Sequence, residues 1–155
     1  MMGVIVQKGS VGSPAVRALI LALNAEITER YPEVGANFFR LDTSDVAPGR
    51  GTFLVATVDG EVVGCGAVRL LDDADAEMKR MYVTPPFRSR GIGRALLVAL
   101  EDEARSLGAK RLVLETGERM PEAVALYERT GFTVIPPFGE YVGAPLSLCM
   151  AKDLR

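Results

Sequence analysis

The stretch that decides the fold is Arg88-Ser89-Arg90-Gly91-Ile92-Gly93. It follows a strand-like run at 78–83 and leads into a strongly helical one that ends near Leu107. Two glycines let the backbone approach a ligand closely, and the following helix directs its unpaired N–H groups and the positive end of its dipole into the loop. Three arginines, Arg88, Arg90 and Arg94, add full positive charge. The stretch therefore predicts a phosphate-binding site.

The pattern of apolar residues around this loop predicts a mixed α/β fold. Ser13 and Pro14 start a first helix, and Pro32 ends it. A central strand–loop–helix–strand unit over 76–116 predicts a parallel crossover in a mixed sheet. Residues 1–155 are expected to form one domain, with the element order β-α-βββ-α-β-α-ββ. The predicted strands are 4–6, 52–58, 61–71, 76–83, 111–116, 132–136 and 146–151, and the predicted helices are 14–30, 91–107 and 121–130.

Composition excludes several classes of function. The 155 residues carry a formal net charge of −2 and a pI of 5.3, which disfavours nucleic acid as the main partner. With no histidine, zinc sites, Ser-His-Asp triads and Cys-His dyads are ruled out, and no metal site is expected. Cys65 and Cys149 are expected to be buried thiols. No signal peptide or membrane-spanning run is visible, so the cytoplasm is the expected location.

Two segments carry a family resemblance. The loop lacks the third glycine of a dinucleotide-binding fingerprint and the Gly-Lys-Ser/Thr of a Walker loop. Instead, Arg88-x-x-Gly91-x-Gly93 after Met81-Tyr82-Val83 resembles motif A, Arg/Gln-x-x-Gly-x-Gly/Ala, of the GNAT superfamily of acetyl-CoA-dependent N-acetyltransferases. The later run from Leu126 to Phe132, LYERTGF, is similar to the superfamily's LYxxxGF segment. The resemblance covers residues 52–155 well and the N-terminal third by element order.

The resemblance implies a site for acetyl-CoA as co-substrate. The pyrophosphate would be held by the backbone amides of the loop, namely Arg88, Ser89, Arg90, Gly91, Ile92, Gly93 and Arg94. The pantetheine arm would lie in a gap where the strand containing Met81, Tyr82 and Val83 diverges from the strand at 111–116. One of these strand amides would polarise the thioester carbonyl. The loop at 117–121 lacks the asparagine that many members carry, and Arg119 is a candidate to reach the phosphates instead.

The resemblance also suggests catalytic residues. Tyr127 matches the tyrosine that protonates the departing thiolate in many members; the alternative is a core tyrosine. For the general base, Glu77 and Glu115 are candidates that would act through water, and the alternative is that both are structural carboxylates. Strand alternation would place Glu77, Lys79 and Met81 on one face.

The acceptor side of the reaction is less defined. Lys79-Arg80 is interpreted as a solvated pair, a phosphate contact or part of the acceptor site. Candidates for the acceptor pocket are Tyr31, Phe38, Phe39, Arg40, Phe138, Glu140 and Tyr141, and the alternative for the aromatics is that they anchor loops. We expect acetyl transfer to a primary amine of a small molecule or peptide by direct attack in a ternary complex, with no metal, and a homodimer is possible. The alternatives are a non-catalytic acyl-CoA-binding or regulatory module and a transferase of a longer acyl group.

Overall fold

The computed structural model describes residues 3–33 and 41–155. Their strands form one mixed sheet in the order β1-β2-β3-β4-β5-β7-β6, accompanied by three α-helices. The elements follow the predicted order, and the predicted fold class is confirmed. The elements are β1 (Val4–Lys8), α1 (Pro14–Arg30), β2 (Gly51–Val58), β3 (Glu61–Leu70), β4 (Asp75–Val83), α2 (Ile92–Ser106), β5 (Arg111–Thr116), α3 (Pro121–Arg129), β6 (Thr133–Ile135) and β7 (Leu148–Asp153).

The two faces of the sheet are covered by different helices. Along β2, alternate residues join different apolar clusters, as the two-residue period of a strand requires. Phe53 and Val55 pack with α1, whereas Leu54 and Ala56 pack with α2. The α1 side is completed by Val16, Leu19 and Leu23, and the α2 side by Leu96, Leu97 and Leu100. Cys65 and Cys149 are buried free thiols, as expected.

Local signals in the sequence explain several boundaries. The Ser13 hydroxyl accepts a hydrogen bond from the Val16 N–H at 3.3 Å, which caps α1 at its predicted start. Asp59 and Gly60 form the hairpin turn between β2 and β3 with φ of 50° and 82°, the pair of left-handed conformations that a two-residue type I′ turn needs. In the described part of the chain, the helices are too short or too polar to span a membrane.

A bulge in β4 changes the predicted face of one residue. The register between β3 and β4 shifts between Cys65 and Ala67, and Arg80, on the opposite strand, adopts a left-handed φ of 57°. Met81 therefore packs with the α2-side cluster. The prediction that Glu77, Lys79 and Met81 share one face was wrong for Met81, because the inserted residue reverses the alternation beyond it.

The parallel pair β4–β5 separates at one end. Its pairing runs from Asp75–Arg111 to Met78–Leu114, after which β4 continues to Val83 and β5 continues to Thr116. Beyond Leu114, β5 stays hydrogen-bonded to β7 on its other side. The two strands therefore diverge, and the gap between them opens toward the loop that precedes α2.

Candidate functional site

The loop between β4 and α2 has the shape expected of an anion-binding turn. Ser89 and Gly91 both adopt left-handed conformations, with φ of 63° and 81°. Alternating backbone conformations of this kind bring successive N–H groups into a concave array. Gly91 also occupies the N-cap position of α2 and has no side chain to accept the first helical N–H groups. Those groups are therefore directed at the space in front of the helix.

A cavity of about 500 Å³ lies in front of this loop, between the end of β4 and α3. Gly93 lies on its floor, where a Cβ atom would come within 3.3 Å of Leu126 Cδ2 and 3.6 Å of Met81 Cε. A side chain at this position would thus project among residues that line the cavity. Of the predicted cofactor residues, the structure places Met81, Tyr82, Val83, Arg88, Ser89, Gly91, Gly93 and Arg94 in the lining.

Arg88 connects three elements around this cavity. Its Nε donates to the Val83 carbonyl at 2.8 Å, and its Nη2 donates to Glu26 of α1 at 2.6 Å. The guanidinium also lies 5.3 Å from the centre of the Tyr82 ring. These contacts hold the loop against β4 and α1, so part of the charge of Arg88 is already paired within the protein.

Three other predicted cofactor residues lie differently. Ile92 is buried in the core and can offer a ligand only its backbone. The Arg90 guanidinium stacks 5.4 Å from the centre of the Phe87 ring, away from the cavity lining. The Arg119 guanidinium donates a hydrogen bond to the Glu33 carboxylate at 2.6 Å and stacks on the Tyr31 ring. The structure therefore does not bring the Arg119 side chain to either of the two cavities described here.

A second, smaller cavity of about 140 Å³ lies at the divergence of β4 and β5. Tyr127, Met81, Met120, Ala123 and Leu23 line both cavities, which are therefore adjoining parts of one groove. Tyr127 is almost entirely buried, and its ring packs 5.7 Å from that of Phe132. Burial, reinforced by the charge of Glu115, raises the pKa of the Tyr127 phenol. The phenol therefore stays protonated at neutral pH.

Glu115 lines the smaller cavity from the end of β5. Its carboxylate accepts a hydrogen bond from the Ser147 hydroxyl at 2.6 Å. Burial raises the pKa of Glu115 to about 7, and the hydrogen bond from Ser147 opposes that increase. A carboxyl with this pKa is present in both protonation states near neutral pH, which suits a general base. Ser147 was not predicted from the sequence, because a serine in an irregular segment carries no signal of its partner.

Glu77, the other predicted base, is engaged on both oxygens. Oε1 accepts from Arg69 Nε and Nη2 at 3.0 and 2.9 Å, and Oε2 accepts from the Tyr141 hydroxyl at 2.6 Å. The residue is fully buried and does not belong to the lining of either cavity. In the described residues, the structure therefore brings Tyr127 and Glu115 to the groove, whereas Glu77 holds Arg69 and Tyr141 in place.

Lys79 and Arg80 both line the smaller cavity. Lys79 is 7% exposed, which excludes the solvated-pair interpretation. Its Nζ lies 3.5 Å from Glu140 Oε2, and Arg80 Nη1 donates to the Asn24 side-chain oxygen at 2.7 Å. Burial lowers the pKa of Arg80.

The predicted acceptor residues divide into three groups. Tyr31 and Tyr141 line the smaller cavity. Phe138 packs edge-on against Tyr141 at 5.2 Å and Glu140 pairs with Lys79 outside the lining, so both support the loop before β7. Phe38, Phe39 and Arg40 lie outside the described residues. Within 3–33 and 41–155, no group of three or more acidic or cysteine side chains is arranged to hold a metal ion.

Comparison with known proteins agrees with this geometry. Residues 19–132 match the acetyltransferase (GNAT) family. An IAA acetyltransferase from Azospirillum brasilense is 43% identical over 141 residues, which cover 90% of this chain and 91% of that protein. A Klebsiella pneumoniae protein, solved as a candidate acyl-CoA N-acyltransferase, superposes with a TM-score of 0.84 at 35% identity over 98% of both chains. A GNAT acetyltransferase from Elizabethkingia anophelis with acetyl-CoA bound shares the fold, with a TM-score of 0.68 at 19% identity and 97% coverage of both chains.

The chain belongs to the GNAT family and is an acetyl-CoA-dependent N-acetyltransferase, as its loop and LYxxxGF segment predicted.

Proposed function

We propose that this protein transfers the acetyl group of acetyl-CoA to a primary amine of a small molecule or peptide, by direct attack in a ternary complex. The observation that carries the proposal is the position of Tyr127. It lines the cavity in front of the phosphate-binding loop and also the cavity that contains Glu115. A thioester reaching from the first cavity would therefore meet an amine in the second one beside both an acid and a base.

Features of the larger cavity support its assignment as the CoA site. The left-handed residues Ser89 and Gly91, together with the start of α2, offer N–H groups to a pyrophosphate. The edge of β4 that faces the gap, from Met81 to Val83, offers backbone to the pantetheine arm in the manner of an added strand. Acetyl-CoA supplies an activated acyl thioester; the protein has to orient it, exclude water and move protons.

The proposed proton transfers use one residue from each side of the groove. Glu115 takes a proton from the amine, directly or through a water molecule, as the new N–C bond forms. Tyr127 donates its phenolic proton to the sulfur as the C–S bond breaks. A phenol with a raised pKa is protonated at neutral pH but is a weaker acid than an ordinary tyrosine, so Tyr127 gives up its proton only as negative charge develops on the sulfur. The tyrosinate that remains is then reprotonated by the proton that Glu115 has taken or by water.

The cysteines favour direct attack over an acyl-enzyme. Burial raises the pKa of the Cys65 thiol to about 12, and it also raises that of Cys149. A thiol is a good nucleophile only as its thiolate, and neither cysteine lines the groove.

The first test is binding and turnover of acetyl-CoA. At a hundredfold excess over Kd, the ligand should stabilise the fold by about 2.7 kcal/mol, a rise in Tm of roughly 5–10 °C for a chain of this size. Turnover would be measured by release of free thiol against a panel of amines and, in a separate assay, against IAA, the compound in the name of the Azospirillum relative. Binding without turnover on any acceptor would favour a non-catalytic module.

A pair of glycine variants tests the loop. Gly93→Glu would place a carboxylate among Leu126 and Met81 on the cavity floor and should abolish the shift in Tm with acetyl-CoA. Gly12→Glu adds the same charge where only Ser10 Oγ comes near, at 3.9 Å, and should keep the shift. Retained affinity in a folded Gly93→Glu protein would refute the assignment of the loop.

A further inference from the structure

The larger cavity has a charge distribution that the phosphate-binding loop alone does not explain. Its charged lining residues are Glu26, Arg88, Arg94, Glu122 and Arg129. Arg88 pairs with Glu26, and Arg30, which lies outside the lining, pairs with both carboxylates. Within the described residues, Arg94 and Arg129 form no hydrogen bond or ion pair. Two unpaired cations are therefore left in the lining.

These two cations belong to different helices that meet beside the cavity. Arg94 follows Gly93 in α2, and Arg129 lies about one turn after Leu126 in α3. The helices are close at this point, since a Cβ atom on Gly93 would lie 3.3 Å from Leu126 Cδ2. Arg94 and Arg129 therefore flank the place where α2 and α3 approach each other.

The course of α3 places these cations at the end of the groove away from the smaller cavity. Met120, just before α3, and Ala123, in its first turn, line both cavities. Tyr127 is the last residue of α3 that lines both, and Arg129, where the helix ends, lines only the larger one. Along α3, the groove therefore runs from the smaller cavity, which contains Glu115, to the unpaired cations.

CoA presents its charges in the same order. Its thiol end is neutral, a diphosphate follows the pantetheine arm, and a phosphate monoester is attached to the ribose at the far end. The backbone N–H groups around Ser89 and Gly91 suit the diphosphate. The monoester carries about two negative charges at neutral pH, and arginine side chains bind such a group through paired hydrogen bonds.

We infer that Arg94 and Arg129 form a separate subsite for the ribose phosphate of CoA and make the protein discriminate CoA from dephospho-CoA, which lacks that phosphate. The inference rests on the proposed function and divides the larger cavity into two anion subsites, one built from backbone and one from side chains. A cation in the last turn of a helix also stabilises the helix, which alone would account for Arg129. It does not account for Arg94, which lies in the first turn of α2, where the helix dipole disfavours a cation.

The test is equilibrium binding of CoA and of dephospho-CoA, measured by titration calorimetry, so that no acceptor amine is needed. The parent protein should bind CoA about tenfold more tightly than dephospho-CoA. Arg94→Gln and Arg129→Gln should each weaken CoA binding by about threefold or more, and the double variant should bind the two ligands equally. Kd for dephospho-CoA should stay as in the parent protein, because neither substitution changes the loop backbone that is proposed to hold the diphosphate.

Arg17→Gln serves as the matched control, because Arg17 is exposed on α1 and lies outside the groove. A preference for CoA that is lost in the double variant and kept in this control supports the inference. Equal Kd values for the two ligands in the parent protein, or an unchanged preference in the double variant, overturns it and leaves the proposed function standing. Failure of the folded parent protein to bind either ligand overturns both.

Discussion

The replacement Glu115→Gln tests the proposed base through stability as well as rate. The folded-state pKa of Glu115 is raised to about 7 from an ordinary value of 4.5, so the folded chain binds this proton more tightly than the unfolded chain does. The stabilising contribution is fully present below about pH 4.5 and is lost as the pH rises through 7. A glutamine stays neutral throughout and keeps an oxygen that can accept from Ser147.

The expected change in stability follows from how far the pKa of Glu115 is raised. The Glu115 pKa differs by about 2.5 between the folded and unfolded chain, and one pKa unit is worth 1.36 kcal/mol. The difference therefore corresponds to about 3 kcal/mol of unfolding free energy. Glu115→Gln should therefore be more stable than the parent protein by up to about 3 kcal/mol at pH 8 and about equally stable near pH 4.5. This is a large fraction of the 5–15 kcal/mol that is typical of a folded domain.

The same variant should lose activity while it gains stability. Loss of a general base lowers kcat/KM by about 10²–10⁴-fold. In the parent protein, kcat/KM should fall about tenfold per pH unit below 7, because only the carboxylate form accepts a proton, and this inflection should disappear in the variant. Unfolding would be followed in urea by far-ultraviolet circular dichroism, since the chain has no tryptophan.

The control is Glu61→Gln, at an exposed position beside the β2–β3 hairpin turn. It should change neither the pH dependence of stability nor the rate. The quantity to compare is the difference in unfolding free energy between Glu115→Gln and the parent protein. If that difference is the same at pH 8 as at pH 4.5, the pKa of Glu115 is not raised in the folded protein. Unchanged kcat/KM would remove Glu115 from the mechanism.

Two further variants address the remaining proton transfers. Tyr127→Phe should lower turnover by about 10²-fold or more while acetyl-CoA still raises Tm; full turnover would leave Tyr127 as a core residue only. Ser147→Ala removes a hydrogen bond that lowers the pKa of Glu115, so the inflection in kcat/KM should move to higher pH than in the parent protein. Ser106→Ala, at an exposed position at the end of α2, should leave the inflection in place, and an unmoved inflection in Ser147→Ala would mean that another group titrates.

The parts of the fold that were predictable depend on local signals. Ser13, Pro14 and Pro32 bracket α1, and the sequence predicts its bounds because capping and proline act within a few residues. The glycines of the loop likewise predict the proposed cofactor half of the site. The bulge at Arg80 has no comparable signal, since arginine is not a residue that favours a left-handed conformation. The sequence does place Gly66 on the neighbouring strand, where the register shifts between Cys65 and Ala67, and a glycine inside a strand often marks a bulge.

The roles of the carboxylates could not be separated by sequence alone. Glu77 and Glu115 each occur on a strand beside the expected gap, and either could have faced it. Their environments differ through partners far away in the chain: Arg69 and Tyr141 hold Glu77, whereas Ser147 contacts Glu115. Such pairings depend on the completed sheet and on the loop before β7.

The left-handed Arg80 connects the strain in the fold with the chemistry of the groove. A non-glycine residue in this conformation costs roughly 1–2 kcal/mol, and an unbulged β4 would avoid that cost. It would also send Lys79 and Arg80 to opposite faces of the sheet and return Met81 to the α1 side. The bulge instead places Lys79 and Arg80 side by side in the lining of the smaller cavity and Met81 in the lining of both cavities. The register between β2 and β3 also shifts, between Ala56 and Thr57, but the strain at Arg80 lies in the lining of the groove. Strain at that place is explained if selection acted on the groove rather than on stability alone.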